Sequence, residues 1–249
     1  MTAIRLLRRL ALALACLAII AGAAIAGVLA WPQSLHAHAA THGRLTLLSD
    51  AAFDVAAGVA LLGEVERRLA AAPPELRQAA LDWHIVVSNT EWRRRLTFLD
   101  KYSAGGVNYH LLPRTAFLRQ ADIARDRLAG NDGRDVPPPR TLAYFAAHEI
   151  AHGMVTARIG ALARLRLPVW IEEGLADYVA FAGEVDIEEL AQGFREGRAE
   201  LDPAASGLYA RYHLLVAHFL EAEGWSVDDL LASALSQEEA ERRFRQALR

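Results

Sequence analysis

The chain has 249 residues, a formal net charge of −3 and an apolar share of 53%, enough for one domain with a sizeable core and too apolar for a disordered polymer. Setting aside Arg5, Arg8 and Arg9, the only charged residues before position 40, leaves the remainder near −6 with no basic stripe to neutralise phosphates, which excludes nucleic acid as a partner. The single cysteine, Cys16, lies in an apolar segment, so the folded part forms neither an internal disulfide nor a thiolate metal site, and any metal ligands must be histidine or carboxylate.

Arg5, Arg8 and Arg9 precede an uncharged apolar run from Leu10 to Ala30, about 31 Å long as a helix and close to the hydrocarbon thickness of a bilayer. Trp31 suits the membrane interface, Pro32 stops the helix, and the arginines place the N-terminal side in the cytoplasm. Everything after position 32 is then expected outside the cytoplasm, periplasmic or extracellular. Ala37, His38 and Ala39 also fit the A-x-A cleavage pattern of a signal peptide, so the alternative is a secreted, processed chain; the length of the run favours a retained anchor. Leu12 to Ala15 make a poor lipoprotein box before Cys16. His36, His38 and His42 sit in an alanine-rich stretch that reads as linker rather than as a metal tract. The chain divides accordingly into residues 1–39, an anchor or signal segment with linker, and residues 40–249, one domain without internal repeats.

Leu45 and Leu47 alternate in a short strand expected from Gly43 to about Ser49, and helical periodicity runs from Asp50 to about Ala72, ended by Pro73 and Pro74. Trp83 to Ser88 is a β-branched run bounded by turn formers, and Thr90 opens a short basic helix with Trp92, Leu96 and Leu99 on one side. Gly105 and Gly106 introduce Val107 to Leu112 and, past Pro113, Thr115 to Leu118, which read as a hairpin or paired edge strands. A loop covers about Gly130 to Pro139, after which Thr141 caps a helix expected to reach about Ile159. Pro168 precedes a second helix through Glu173 and Tyr178, and from Asp186 onward every segment has helical periodicity. Ser226 with Asp229, and Ser236 with Glu239, match capping boxes. The fold class expected is α+β: a small mixed or antiparallel N-terminal sheet with helices, followed by a mainly helical half and preceded by one transmembrane helix.

Residues 148 to 152 read His148, Glu149, Ile150, Ala151, His152. Histidines four apart on a helix share a face, so both imidazoles reach one metal ion while Glu149 sits beside it. A catalytic zinc takes three protein ligands and leaves a position for water, so a third ligand must come from elsewhere. The segment Trp170 to Tyr178 offers Glu172, Glu173 and Asp177. Glu173 and Asp177 are four apart and share a face, whereas Glu172 shares its face with Ala176 and is expected to point away. Glu173 is therefore assigned as third ligand, with Asp177 behind it accepting the second N–H of His148 or His152. One Zn2+ per chain is expected.

H-E-x-x-H followed about twenty residues later by W-x-x-E-G-x-A-x-Y resembles the gluzincin metallopeptidases, in particular the bacterial peptidase MA-like group, over roughly Ala104 to the C-terminus. The resemblance implies a zincin-like catalytic half with His148, His152 and Glu173 on zinc, Glu149 as general base and Asp177 supporting a zinc-bound histidine. It also implies that Ala104 to Val107 is a substrate-edge strand and Leu208 to Gly224 a tyrosine-bearing helix, where Arg211 and Tyr212 depart from the Gln and Ser frequent in that group. Tyr209, Tyr212 and His213 are candidates for the oxyanion donor, the resemblance favouring Tyr209; the other reading is tyrosines that pack a helical core. Tyr178 reads as a packing residue, and His84, His110 and His218 as core or surface histidines. An extended substrate would add to the strand near Val107, Asn108 and Tyr109. The function expected is zinc-dependent hydrolysis of peptide bonds in a peptide or protein substrate, with Glu149 taking the proton of a water whose pKa zinc lowers to about 7. The alternatives are a noncatalytic zinc-containing peptide-binding protein at the membrane and a zinc amidase acting on cell-wall peptides. No oligomeric state is indicated.

Overall fold

A computed structural model of the chain describes residues 2–77, 81–206 and 208–249. Helix α1 (Thr2–Ala30) carries the apolar run, and within it Arg9–Ala30 is long and apolar enough to cross a membrane. A five-stranded mixed sheet follows, built from β1 (His38–His42), β2 (Leu45–Ser49), β3 (Trp83–Val87), β4 (Gly106–Val107) and β5 (Thr115–Leu118) in the order β1-β2-β3-β5-β4. The inner strands β2, β3 and β5 are parallel, and both edges, β1 on β2 and β4 on β5, pair antiparallel. Parallel strands need crossover connections, and α2 (Val55–Ala70) with α3 (Pro74–Arg77), then α4 (Glu91–Phe98), lie in those crossovers.

Several boundaries differ from the expectations. The stretch expected to be linker contains β1, so the folded part starts before position 40. His36 is buried, its Nδ1 2.9 Å from the Pro32 carbonyl and its Nε2 3.2 Å from Ser88 Oγ, and His42 Nε2 lies 3.1 Å from Glu66. These histidines hold the strand in place and do not converge on one another. Helix α2 starts at Val55, capped by Asp54, because Asp50 is used elsewhere: its carboxylate accepts from the Asn89 and Thr90 amides at 2.7 and 2.8 Å and from the Thr90 hydroxyl at 2.6 Å. The strand expected over Val107 to Leu112 shrinks to Gly106–Val107, and a small hairpin, β6 (Ala121–Asp122) with β7 (Arg127–Leu128), stands where no element was expected.

Helix α5 (Leu142–Ile159) is buried on nearly all sides from Leu142 to Thr156, packed between the sheet, α2 and α7 (Val169–Phe181). Its cap is the one expected, with Thr141 Oγ1 accepting from the Tyr144 amide at 3.3 Å. The short α6 (Ala161–Arg164) turns the chain towards α7. Helices α8 (Ile187–Glu196), α9 (Pro203–Ser206), α10 (Ala210–Ala217), α11 (Val227–Ala232) and α12 (Gln237–Ala247) complete the helical half, with α10 against α7. Ser226 and Asp229 form the full capping box, whereas at Ser236 the hydroxyl accepts from the Glu239 amide. The helix expected over Leu208 to Gly224 is interrupted: Tyr209 precedes α10 as its cap residue, and His218–Ala222 is a π turn. Buried Arg68 ties α2 to the end of α7, donating to the Ala180 carbonyl at 2.6 Å and pairing with Glu184 at 2.9 Å.

The apolar core lies mainly between the α5 side of the sheet and the helices. A second cluster covers the opposite sheet face, where Leu48, Val86, Phe98 and Phe117 pack with Leu29 of α1, and Ile25, one turn earlier on the same helix face, joins them.

Candidate metal centre

The i, i+4 spacing on α5 brings His148 and His152 together, their ring centroids 4.9 Å apart. Helix α7 crosses α5 so that the Glu173 carboxylate faces both, its Oε2 3.3 Å from His148 Nε2 and 3.8 Å from His152 Nε2. One donor atom from each residue lies within 4.8 Å of the others, the only such trio among the described residues. Three ligand atoms about 2.0–2.1 Å from a tetrahedral zinc stand about 3.3–3.4 Å apart. The two separations from Glu173, 3.3 and 3.8 Å, lie within about half an ångström of that spacing, so imidazole nitrogen and carboxylate oxygen form a donor set that suits a small divalent cation.

The second nitrogen of each imidazole meets an acid. His148 Nδ1 donates to Asp177 Oδ1 at 2.9 Å, and the same oxygen accepts from the Tyr144 hydroxyl. Asp177 therefore serves His148, one of the two partners expected. Glu172 does not point away: its Oε1 lies 3.7 Å from His152 Nδ1, which is buried without a hydrogen-bond partner, and 2.7 Å from Arg164 Nε. Neighbouring helical positions differ by about 100°, so Glu172 reaches the flank of the site while Glu173 enters its centre. Arg164 is buried too and donates from Nη1 to Asn108 Oδ1 at 2.7 Å and to Thr156 Oγ1 at 3.0 Å. Neither Arg164 nor Tyr144 was expected at the site. Tyr144, four before His148 on one helix face, carried a signal in the sequence; Arg164 carried none.

Burial opposes charge on both imidazoles with opposite outcomes. At His148 the hydrogen bonds to Asp177 and Glu173 outweigh burial and hold its pKa well above the ordinary value. At His152 burial, reinforced by the charge of His148, pushes it well below. Burial, with help from Glu173, pushes the Glu149 carboxyl up to about 7 against the pull of His148. Gly106 makes room for Glu149, since a Cβ there would stand 2.6 Å from Glu149 Cγ and Oε1.

These groups lie in a cleft of about 700 Å³ whose walls include Gly106, Val107 and Asn108 of the edge segment and Tyr209. The Tyr209 ring stacks on His148 at 6.3 Å between centroids, and burial, then the Glu173 and Asp177 charges, raise its pKa. Tyr212 stacks on Tyr209 and His213 is buried against Phe181; neither lines the cleft. Tyr178 packs on the core and donates to Glu221 at 2.9 Å, as a packing residue would. Val107 presents the free side of an edge strand, but the Asn108 amide is committed to the Pro113 and Thr115 carbonyls at 2.9 and 3.1 Å. Tyr109, expected to meet substrate, lies outside the cleft: its hydroxyl donates to the Thr97 carbonyl at 2.9 Å and its ring packs on Phe117 across the sheet. His110 does line the cleft, 4.0 Å from Glu172, whereas His218 pairs with Glu223 at 3.2 Å outside it. No protein-family model, curated protein or solved structure matches this chain.

Proposed function

We propose that this chain is a zinc-dependent peptidase of gluzincin type, with a zincin-like catalytic half, held at a membrane by α1 with its folded domain outside the cytoplasm. One observation carries the reading. Two imidazole nitrogens and the Glu173 carboxylate converge on one point in the floor of a cleft, with the Glu149 carboxylate one helix position away and a free strand edge along the wall. Carboxylate and tyrosine backing of the ligands supports it further, because such partners fix the tautomer and ring orientation that a metal site needs.

His148, His152 and Glu173 would hold the zinc, which when bound would act as a Lewis acid towards a water and a substrate carbonyl. Glu149 takes the proton of the attacking water, the water oxygen adds to the peptide carbonyl carbon, and Glu149 returns the proton to the amide nitrogen as the C–N bond breaks. The Tyr209 hydroxyl, in the wall of the cleft beside His148, is the donor assigned to the carbonyl oxygen as it gains charge. The Gly106–Val107 edge receives the substrate backbone, with Asn108 holding the turn that follows.

The test combines metal analysis of the full chain with cleavage profiling of the wild type and Glu149→Gln. The expected result is one zinc per chain in both proteins, with hydrolysis in the wild type alone. Full activity of Glu149→Gln, or purified protein without stoichiometric metal, overturns the reading. Stoichiometric zinc with no cleavage of peptides or cell-wall peptides by the wild type replaces it with a noncatalytic peptide-binding protein.

A further inference from the structure

The cleft is charged unevenly along its length. Its direction follows α5: Gly105 lies against Phe145, Gly106 against Glu149, and Asn108 against Arg164, which also bonds Thr156. Edge segment and helix therefore run side by side, with the metal ligands between the two ends. Towards Thr156 the buried charge of Arg164 is met by Glu172. Towards Phe145 the wall contains Arg119, whose amide donates to the Gly105 carbonyl at 3.2 Å, and Arg140, and among the described residues neither is ion-paired.

Arg119 is the more telling of the two. It is 4% exposed, and its guanidinium meets only neutral acceptors, the Asn131 side-chain oxygen at 2.6 Å and the Gly130 carbonyl at 3.2 Å, with Nε left without a partner. Asp132, the one carboxylate that favours its charge, has its own arginine, Arg134, at 3.7 Å. Arg140 leans over the Phe145 ring at 5.9 Å. A cation withdrawn from water without a counter-charge is costly, and an arriving anion offsets that cost. The acids of the cleft are unavailable for this, since Glu149, Glu173 and Asp177 stand at the metal position and Glu172 on Arg164.

We propose that this end of the cleft binds a carboxylate of the peptide substrate, an acidic side chain or the free C-terminus. This deepens, and rests on, the peptidase reading. On α5, Phe145, over whose ring Arg140 leans, precedes Glu149 by about 6 Å, which puts that carboxylate about two extended residues from the bond that is cut.

The test uses the full-length, zinc-loaded Glu149→Gln protein for binding and the zinc-loaded wild type for cleavage. Both receive a neutral amidated peptide, the same peptide with Asp replacing Asn at each position in turn, and the neutral peptide with a free C-terminal carboxylate. At least one carboxylate-bearing peptide is expected to bind, and to be cut in kcat/KM terms, about ten-fold better than the neutral one, as a charge-assisted contact gives. The two arms separate side chain from terminus. The preference should shrink with added salt, fall towards unity in Arg140→Ala and in Arg119→Gln, and persist in Arg119→Lys. Should Arg119→Gln fail to fold, Arg140→Ala decides alone. Equal handling of acidic and neutral peptides, or a preference unmoved by these substitutions, overturns the inference and leaves the peptidase reading standing. Selective binding by Glu149→Gln without any cleavage by the wild type does the reverse.

Discussion

Each imidazole of the site has one nitrogen turned to Glu173 and the other towards an acid, Asp177 behind His148 and Glu172 beside His152. Asp177 is buried and bonded to both His148 and Tyr144, so Asp177→Ala frees the ring and leaves the tyrosine hydroxyl unpaired. Zinc affinity should fall about 10- to 100-fold, read by competition with a chelator; an unchanged affinity would show that the aspartate does not orient the ligand. Gly106→Ala should separate activity from stability. The new methyl meets a side chain rather than backbone, so Glu149 moves and the fold survives. A displacement of that kind costs about 10²-fold in kcat/KM, while the melting temperature should hold within about 3 °C. Wild-type activity in this variant would mean that Glu149 does not work from the position seen here. At this scale the convergence of His148, His152 and Glu173 was legible because residues four apart on a helix must share a face. Glu172, Arg164 and the outward turn of Tyr109 were not, since they depend on where α6 ends, how α7 crosses α5 and how short β4 is.

Packing of α5 against the sheet sets the depth of the site, and Gly153 sets that packing. A Cβ at this position would stand 2.1 Å from the Pro113 carbonyl oxygen and 2.5 Å from the Trp83 ring, so the strand connection itself blocks any larger residue. Alanine gains about 1 kcal/mol in helix propensity over glycine, but a clash with backbone lies at or beyond the top of the about 1–3 kcal/mol that overpacking costs. Gly153→Ala should therefore lose about 2 kcal/mol net, or about 4–8 °C in melting temperature for a domain of this size. It should also lower zinc affinity, because His152 precedes it directly; a variant as stable as wild type would show that α5 can lift from Pro113 freely. The elements that were legible had local signals: Thr141 and Ser226 as caps, the β-branched run of β3, and Pro168 before α7. Strand β1 had none. Its alanines and histidines favour no strand, and only pairing with β2 and the seat of His36 between Pro32 and Ser88 extend it. The two-residue strands β6 and β7 are too short for any periodicity.

At the scale of the whole molecule, the same apolar segment that resembles a signal sequence is also part of the fold. Ile25 and Leu29 of α1 pack on Leu48, Val86, Phe98 and Phe117 of the outer sheet face, and Leu29 is 6% exposed. The chain then continues through Pro32 and the buried His36 into β1, so the A-x-A site at Ala37 to Ala39 falls at the start of an ordered strand. Cleavage after Ala39 would remove Leu29, His36 and two register pairs of β1, His38 with Ser49 and Ala39 with Leu48. Ala37, His38 and Ala39 are exposed, but His38 and Ala39 are paired in β1, so cleavage there would open a strand that the fold uses. Burying a leucine side chain contributes about 1.5–3 kcal/mol, and Leu29 also shields the apolar face beneath it. A chain beginning at Ala40 should accordingly melt about 4–10 °C below one beginning at Gly22 and studied in the same detergent. Sequencing of the protein recovered from membranes should find the apolar segment intact. A free N-terminus at Ala40 in the exported protein, with no loss of thermal stability on removing residues 1–39, would show that the contact of α1 with the sheet contributes nothing and that the segment serves export alone.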